Sequence, residues 1–325
     1  MLIDLLYLVI GLVGLYYGAE WLVGGSSKLA LRLGVTPLVI GLTVVAFGTS
    51  APELAVCLQL NLTGLPDAAV GNVVGSNICN ILLILGVSAL MRPIEIKSQV
   101  IRREMPVLIV VSLVFVAVLW DGVLARWEGG VLVVGIVGYV WASFALVKRV
   151  ALPEVEEEFA VEIGRPEEAE AIPGKVLAGL ILAGLVLLVA GAKFFQLGGV
   201  GIAQRFGISD AVIGLTVLAF GTSLPELATS MVATAKGEGD IIAGNAVGSS
   251  IFNVLAILGI TVLVKPMLIS GIVPLDLWFM VGSAAICVPL MWTRSHLSRV
   301  EGGCLLVAYL IFVGLLVMRG GVPHA

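Results

Sequence analysis

Val39–Ala55 reads VIGLTVVAFGTSAPELA and Val212–Ala228 reads VIGLTVLAFGTSLPELA, identical at 15 of 17 positions after a shift of 173 residues. The same shift lays Gly71–Gly86 (GNVVGSNICNILLILG) on Gly244–Gly259 (GNAVGSSIFNVLAILG), with 11 of 16 identical. It also superposes Gly11, Gly18, Ala30, Arg32 and Gly34 on Gly184, Gly191, Ala203, Arg205 and Gly207, without a gap from 11 to 86. The chain is therefore a duplication, and its two halves are read together.

The composition excludes a water-soluble molecule. Of 325 residues, 59% are hydrophobic and only 12% charged, with a mean hydropathy of +1.13. Soluble domains carry about 25% charged residues. A net charge of −4 offers nothing to a nucleic acid, so no nucleic-acid partner is expected. The 40 glycines suit closely packed helices in a bilayer. Residues 1–23 lack the basic start of a signal peptide and read as a first span that stays. The four cysteines have no metal-ligand spacing, and the two histidines, His296 and His324, cannot build a relay or a zinc site.

A spanning helix needs about 20 mostly apolar residues. Charged residues cut the chain into such pieces at roughly 4–20, 37–62, 69–91, 104–121 and 128–148. The second set lies at roughly 175–193, 210–236, 240–265, 276–294 and 301–319. The expected fold is an all-α integral membrane protein of ten transmembrane helices. Its parts are a first five-helix repeat (1–149), an acidic linker (150–174) with eight glutamates, and a second repeat (175–325). Five spans per repeat is an odd number, so the second must enter the membrane upside down. Inverted repeats of this kind place a substrate site near the midplane. With both termini outside, thirteen Lys and Arg fall on the inner side against five outside. That bias puts the acidic linker in the cytoplasm of a multi-pass protein of the cell membrane.

The chemistry sits at the duplicated motifs. Glu53 is the only charged residue from Leu33 to Pro66, and Glu226 the only one from Ala211 to Ala235. A carboxylate in mid-span costs several kcal/mol and marks a functional site by default. A second reading stays open. Ser50-x-x-Glu53 and Ser223-x-x-Glu226 have capping-box spacing, with Pro52 and Pro225 just inside a helix start. Asn72, Ser76 and Asn80, like Asn245, Ser249 and Asn253, recur every fourth residue and make one polar stripe on each helix. Gly71-x3-Gly75 and Gly244-x3-Gly248 read as small-residue seams between helices. Every group on offer is a hard oxygen, which favours Ca²⁺, Na⁺ or Mg²⁺ over zinc or copper.

The pairs G-T-S-[AL]-P-E-L and G-N-x-V-G-S-[NS]-I-x-N, each present twice, resemble the two α-repeats of the cation/Ca²⁺ antiporter superfamily, and most closely its sodium/calcium exchanger branch. The resemblance covers the whole chain. It implies a transporter rather than an enzyme, which exchanges Ca²⁺ against Na⁺ by alternating access. The ligand set it implies is Glu53, Glu226, Thr49, Thr222, Ser50, Ser223, Ser76, Ser249, Asn80 and Asn253, with the carbonyls of Ala46 and Ala219. Proton-coupled members usually follow the Gly-Asn of the second motif with a glutamate, whereas here Val-Gly-Ser follows in both repeats, yet a proton/Ca²⁺ antiporter remains the alternative. Potassium-coupled relatives resemble G-S-N-x-x-D, with an aspartate where this chain has Asn253, so potassium-independent exchange is expected. No cofactor and no obligatory protein partner are implied. The substrates are Ca²⁺ and Na⁺, and the surroundings are the lipid bilayer.

Overall fold

The computed structural model describes residues 1–147, 172–206, 219–271, 274–292 and 296–320. Most of the acidic linker, and residues 212–218 of the motif copy at 212–228, lie outside the described residues. The described chain is helical apart from four two-residue strands. In order, the helices are α1 (Leu2–Leu33), α2 (Pro37–Thr49), α3 (Ala51–Leu62), α4 (Pro66–Met91), α5 (100–118) and α6 (Arg126–Val147). There follow α7 (Gly174–Arg205), the single turn Ala219–Thr222, α8 (Leu224–Lys236), α9 (Gly239–Val264), α10 (Pro274–Trp292) and α11 (Arg299–Gly320).

Among the described residues, seven helices are long and apolar enough to cross a membrane. The count is eight with α2 and α3 taken as one span bent by 42°. The pieces expected at 104–121 and 210–236 stand apart from this set. The first five residues of α5 form a wide π-helical turn that carries Arg102, Arg103 and Glu104. In the second, the N-terminal part lies outside the described residues. The protein is a helical membrane protein whose duplicated motifs lie in its broken and innermost helices.

Burial separates centre from periphery. In α4 and α9, 83% of the most apolar window is buried, whereas the figure is 22% in α1 and 17% in α11. The outer helices turn Leu, Val and Ile outward, as at Leu2, Val134, Val186 and Leu310. Such surfaces suit lipid, which makes no demand for a polar face. α4 and α9 are shielded by the rest, so their polar stripes face protein.

Helices α1 and α7 pack along a glycine seam. A Cβ on Gly18 would lie 2.7 Å from the Leu188 backbone nitrogen, and one on Gly184 would lie 2.8 Å from the Gly18 carbonyl oxygen. Only glycine allows backbones this close. The seam on α9 is also real, since a Cβ on Gly248 would lie 2.8 Å from Leu42 Cα of α2. For Gly71 and Gly75 the equivalent partner stretch, 211–218, lies outside the described residues.

Two short ladders tie the halves together. β1 (Ile94–Glu95) runs antiparallel to β4 (His296–Leu297), with Ile94 opposite Leu297. β2 (Val123–Leu124) runs antiparallel to β3 (Met267–Leu268), with Leu124 opposite Met267. The second ladder is the first moved by 173 residues with its strands exchanged between halves. Gly86 meets Gly302 on α11, and Gly129 on α6 meets Gly259, in the same reciprocal way.

Candidate functional site

The site begins at the two helix breaks. Ser50 joins α2 to α3 with φ −83° and ψ 5°, and Ser223 precedes α8 with φ −88° and ψ 8°. Proline follows two residues later in each case, at Pro52 and Pro225. Proline has no N–H, so the carbonyls of Gly48 and Gly221, four residues earlier, lose their helical donor.

Neither serine caps its own helix. The capping-box reading fails here, because the backbone N–H of Ser50 already donates to the Ala46 carbonyl at 3.1 Å. The hydroxyls cross to the opposite half instead. Ser50 Oγ donates to Glu226 Oε1 at 3.2 Å, and Ser223 Oγ donates to Glu53 Oε1 at 3.4 Å. Each motif thus holds the glutamate of the other.

The polar stripes of α4 and α9 complete the enclosure. Thr49 Oγ1 donates to Asn245 Oδ1 at 3.2 Å, and Thr222 Oγ1 donates to Asn72 Oδ1 at 3.5 Å, again a reciprocal pair. Ser76 Oγ lies 3.3 Å from Ser223 Oγ, and Ser249 Oγ lies 3.4 Å from both Thr49 Oγ1 and the Ala46 carbonyl. Ala219 opens the single turn ahead of Ser223. Asn80 and Asn253 both lie in wide π-helical turns, Cys79–Ile84 and Asn253–Leu258. Such turns recur at functional sites, and nothing in a four-residue periodicity announces them.

The structure brings together Glu53, Glu226, Thr49, Ser50, Thr222, Ser223, Ser76 and Ser249 through these contacts. Each of these residues is at most 4% exposed, as are Asn80 and Asn253. The second oxygens of both glutamates, Glu53 Oε2 and Glu226 Oε2, are buried without a hydrogen-bond partner. So are Asn253 Oδ1 and both polar atoms of the Asn80 amide. A buried polar atom without a partner costs about 1–3 kcal/mol, and more when it is charged. Oxygens are acceptors, and a bound cation satisfies several of them at once. Among the described residues no group of three or more His, Cys, Asp or Glu side chains forms a metal cluster. The charge here is that of two carboxylates in a shell of amides and hydroxyls, which matches a hard cation.

One functional neighbour escapes a reading of spacings. Asn77, next to Ser76 on α4, accepts from Asn253 Nδ2 at 2.9 Å and donates to the Ser250 carbonyl at 3.2 Å. It fixes which end of the Asn253 amide is spent and leaves the oxygen free. The only sequence signal is an asparagine within an apolar span, off the stripe.

The family model for sodium/calcium exchanger proteins matches the chain twice, at residues 3–145 and 176–318. The chain is 38% identical over 325 residues to a putative antiporter, CaxA, of Alkalimonas amylolytica, covering 97% of this chain and 99% of that one. It is 31% identical to the sodium/calcium exchanger MaX1 of Methanosarcina acetivorans, over 97% and 98% of the two chains. The solved structure of the sodium/calcium exchanger from Methanococcus jannaschii superposes with a TM-score of 0.81 at 29% identity, covering 96% of this chain and 98% of that one.

Proposed function

The chain belongs to the sodium/calcium exchanger protein family, and from that premise we propose that it is a Na⁺/Ca²⁺ antiporter working by alternating access at the crossed Glu53–Glu226 site. The observation that carries this reading is the pair of buried carboxylates, each held at one oxygen by the serine of the other half with the second oxygen unpartnered. Two bidentate glutamates and two further oxygens supply six ligands, within the six to eight that Ca²⁺ takes. The proposed ligands are Glu53, Glu226, Thr49, Thr222, Ser50, Ser223, Ser76, Ser249, Asn80 and Asn253, with the Ala46 and Ala219 carbonyls. Ca²⁺ neutralises the two carboxylates. Three Na⁺ would leave a net charge of +1, and its passage through the membrane potential is worth about 2.3 kcal/mol per 100 mV. Exchange is then electrogenic. With asparagine at both Asn80 and Asn253, no third charge balances a K⁺ bound beside Ca²⁺, so exchange is independent of K⁺.

The proposed architecture is ten spans in two inverted repeats, 1–149 and 175–325, joined by a cytoplasmic linker. The ladders support it. If α5 crosses the membrane, the loops bearing β1 and β2 lie on opposite faces. Because β3, the equivalent of β1, pairs with β2, it lies on the face opposite to β1. The two family-model matches, separated by 173 residues, agree with the same plan. The excess of Lys and Arg sets the β1·β4 face inward and the termini outward.

Purified protein in Na⁺-loaded vesicles tests the function. Radioactive Ca²⁺ uptake should follow an outward Na⁺ gradient and stay unchanged when choline replaces K⁺ at fixed potential. Uptake driven by a pH gradient alone would select proton exchange, and a several-fold loss without K⁺ would overturn K⁺ independence.

A further inference from the structure

Below Glu226 the two halves part company. On α8, Thr229, Ser230 and Thr234 follow Glu226 by three, four and eight residues, so they share its helix face. Their equivalents on α3, below Glu53, are Val56, Cys57 and Asn61. All three α8 hydroxyls are at most 2% exposed. Ser230 and Thr234 are joined to the site by hydrogen bonds. Asn245, the partner of Thr49, donates from Nδ2 to the Glu226 carbonyl at 3.2 Å and to Ser230 Oγ at 3.0 Å, and Thr234 Oγ1 donates to the Ser230 carbonyl at 2.6 Å. Thr229 Oγ1 is buried with no partner. Valine has the same shape without the cost of an unpaired hydroxyl, and the first half has valine at that position.

The row ends at a cleft of about 880 Å³ on the β1·β4 face, lined by Thr234 together with Arg92, Lys97, Lys236, Asp240 and His296. Ser27 of α1 reaches the rim of this end, donating to Glu238 Oε2 at 2.6 Å. At the corresponding end of α3 the side chain is tied to α9. Asn61 Nδ2 donates to the Lys265 carbonyl at 2.7 Å and to the Thr261 carbonyl at 3.2 Å, while Lys265 Nζ donates to the Asn61 carbonyl at 3.0 Å.

We propose that the Thr229–Ser230–Thr234 row of α8 is the path by which partly dehydrated cations pass between the Glu53–Glu226 site and the cleft on the β1·β4 face. The path rests on the antiporter reading of that site. Hydroxyls suit the role because each can turn its oxygen to a passing cation and its proton to the water that follows. They hold neither so tightly as a carboxylate would. The first half offers no such row, so a hydroxyl-lined route leads to this face only.

The test uses Thr229→Val and Thr234→Val, which alter no proposed ion ligand. Ca²⁺ binding to the purified protein, read by titration calorimetry, should stay at the wild-type level, while Na⁺-driven Ca²⁺ uptake into vesicles falls several-fold. In parallel, Thr229→Cys and Thr234→Cys on a Cys304→Ser background should react with a membrane-impermeant thiol reagent from the β1·β4 face, more slowly with Ca²⁺ present. Wild-type uptake rates in both valine variants would overturn the path, as would labelling from the opposite face. A wild-type protein that neither binds nor exchanges Ca²⁺ would overturn the antiporter reading itself, and the path with it.

Discussion

Glu104 and Tyr139 in the first half correspond, 173 residues on, to Leu277 and Phe312 in the second. The first pair is a buried carboxylate accepting from a phenol at 2.9 Å, with Gln99 Nε2 at 3.3 Å and Arg103 Nε at 3.5 Å from the other oxygen. The second position is apolar, with Phe312 stacked on Phe279 at a centroid distance of 4.9 Å. Asp67 and Asp240 also correspond. Asp67 accepts from the backbone N–H groups of Ser270 and Gly271, at 3.0 and 2.8 Å, whereas Asp240 pairs with Lys97 at 2.6 Å. Lys97 and Ser270 are themselves equivalent positions. At the two glutamates, by contrast, the halves match. Ser50 with Glu226 and Ser223 with Glu53 make the same contact twice. The lesson is that scaffold contacts solve one steric problem in several chemistries, while the two glutamates are held by the same hydroxyl from either side.

The strongest way to break that comparison is to remove charge from one half at a time. Glu53→Gln and Glu226→Gln should each weaken Ca²⁺ binding by about 100-fold or more, because charge count sets calcium affinity. Folding should survive, since the amide oxygen still accepts from the serine opposite. Titration calorimetry gives the affinity. A large loss in one variant and a small loss in the other would show that the two carboxylates are unequal partners.

A smaller effect is expected where the halves differ. Tyr139→Phe leaves a lone pair of Glu104 unpaired in a buried place and should destabilise the protein by about 1–3 kcal/mol. Adding Glu104→Leu installs the pair that the second half already uses and should recover the loss, as replacing buried polar pairs by apolar ones often does. Thermal unfolding in detergent measures both. A double variant less stable than Tyr139→Phe alone would mean that the two halves pack differently at this position.

The smallest effect probes an asymmetry within the site. Asn77 fixes the amide of Asn253, and its counterpart in sequence is Ser250, whose hydroxyl donates to the Ala246 carbonyl of its own helix at 2.9 Å. Asn77→Ala should weaken Ca²⁺ binding by about tenfold, the lower end of losses from removing a ligand's supporting hydrogen bond. Ser250→Ala should leave it unchanged, since Asn77 uses only the backbone carbonyl of Ser250. Equal losses in the two would place the support for Asn253 elsewhere.

Much of this was legible in the chain. Glu53 and Glu226 stand out because a lone charge in an apolar span is costly, and the 173-residue shift marks every equivalent position. The polar stripes of α4 and α9 follow from helical periodicity. Other features were hidden. The Ser-x-x-Glu spacing matches a local cap, yet each serine serves the glutamate of the other half. Asn77 lies off the stripe, and it reaches Asn253 only because α4 and α9 cross. The wide turns at Cys79–Ile84 and Asn253–Leu258 have no pattern in hydrophobicity.

The sequence by itself determined that the chain lives in a bilayer, that it is built twice, and that two glutamates, with hydroxyls and amides at matched spacing, stand within its apolar stretches. These follow from composition, repetition and the cost of burying charge, which are properties of residues taken along one chain. Only the tertiary structure decided which oxygen meets which, which polar atoms are left without partners, and that Thr229, Ser230 and Thr234 lead to a cleft while Asn61 is closed over by Lys265. The physical reason is that a hydrogen bond reaches only about 3 Å. Residues 147 to 203 positions apart come within that reach through the packing of helices, and local spacing carries no record of it.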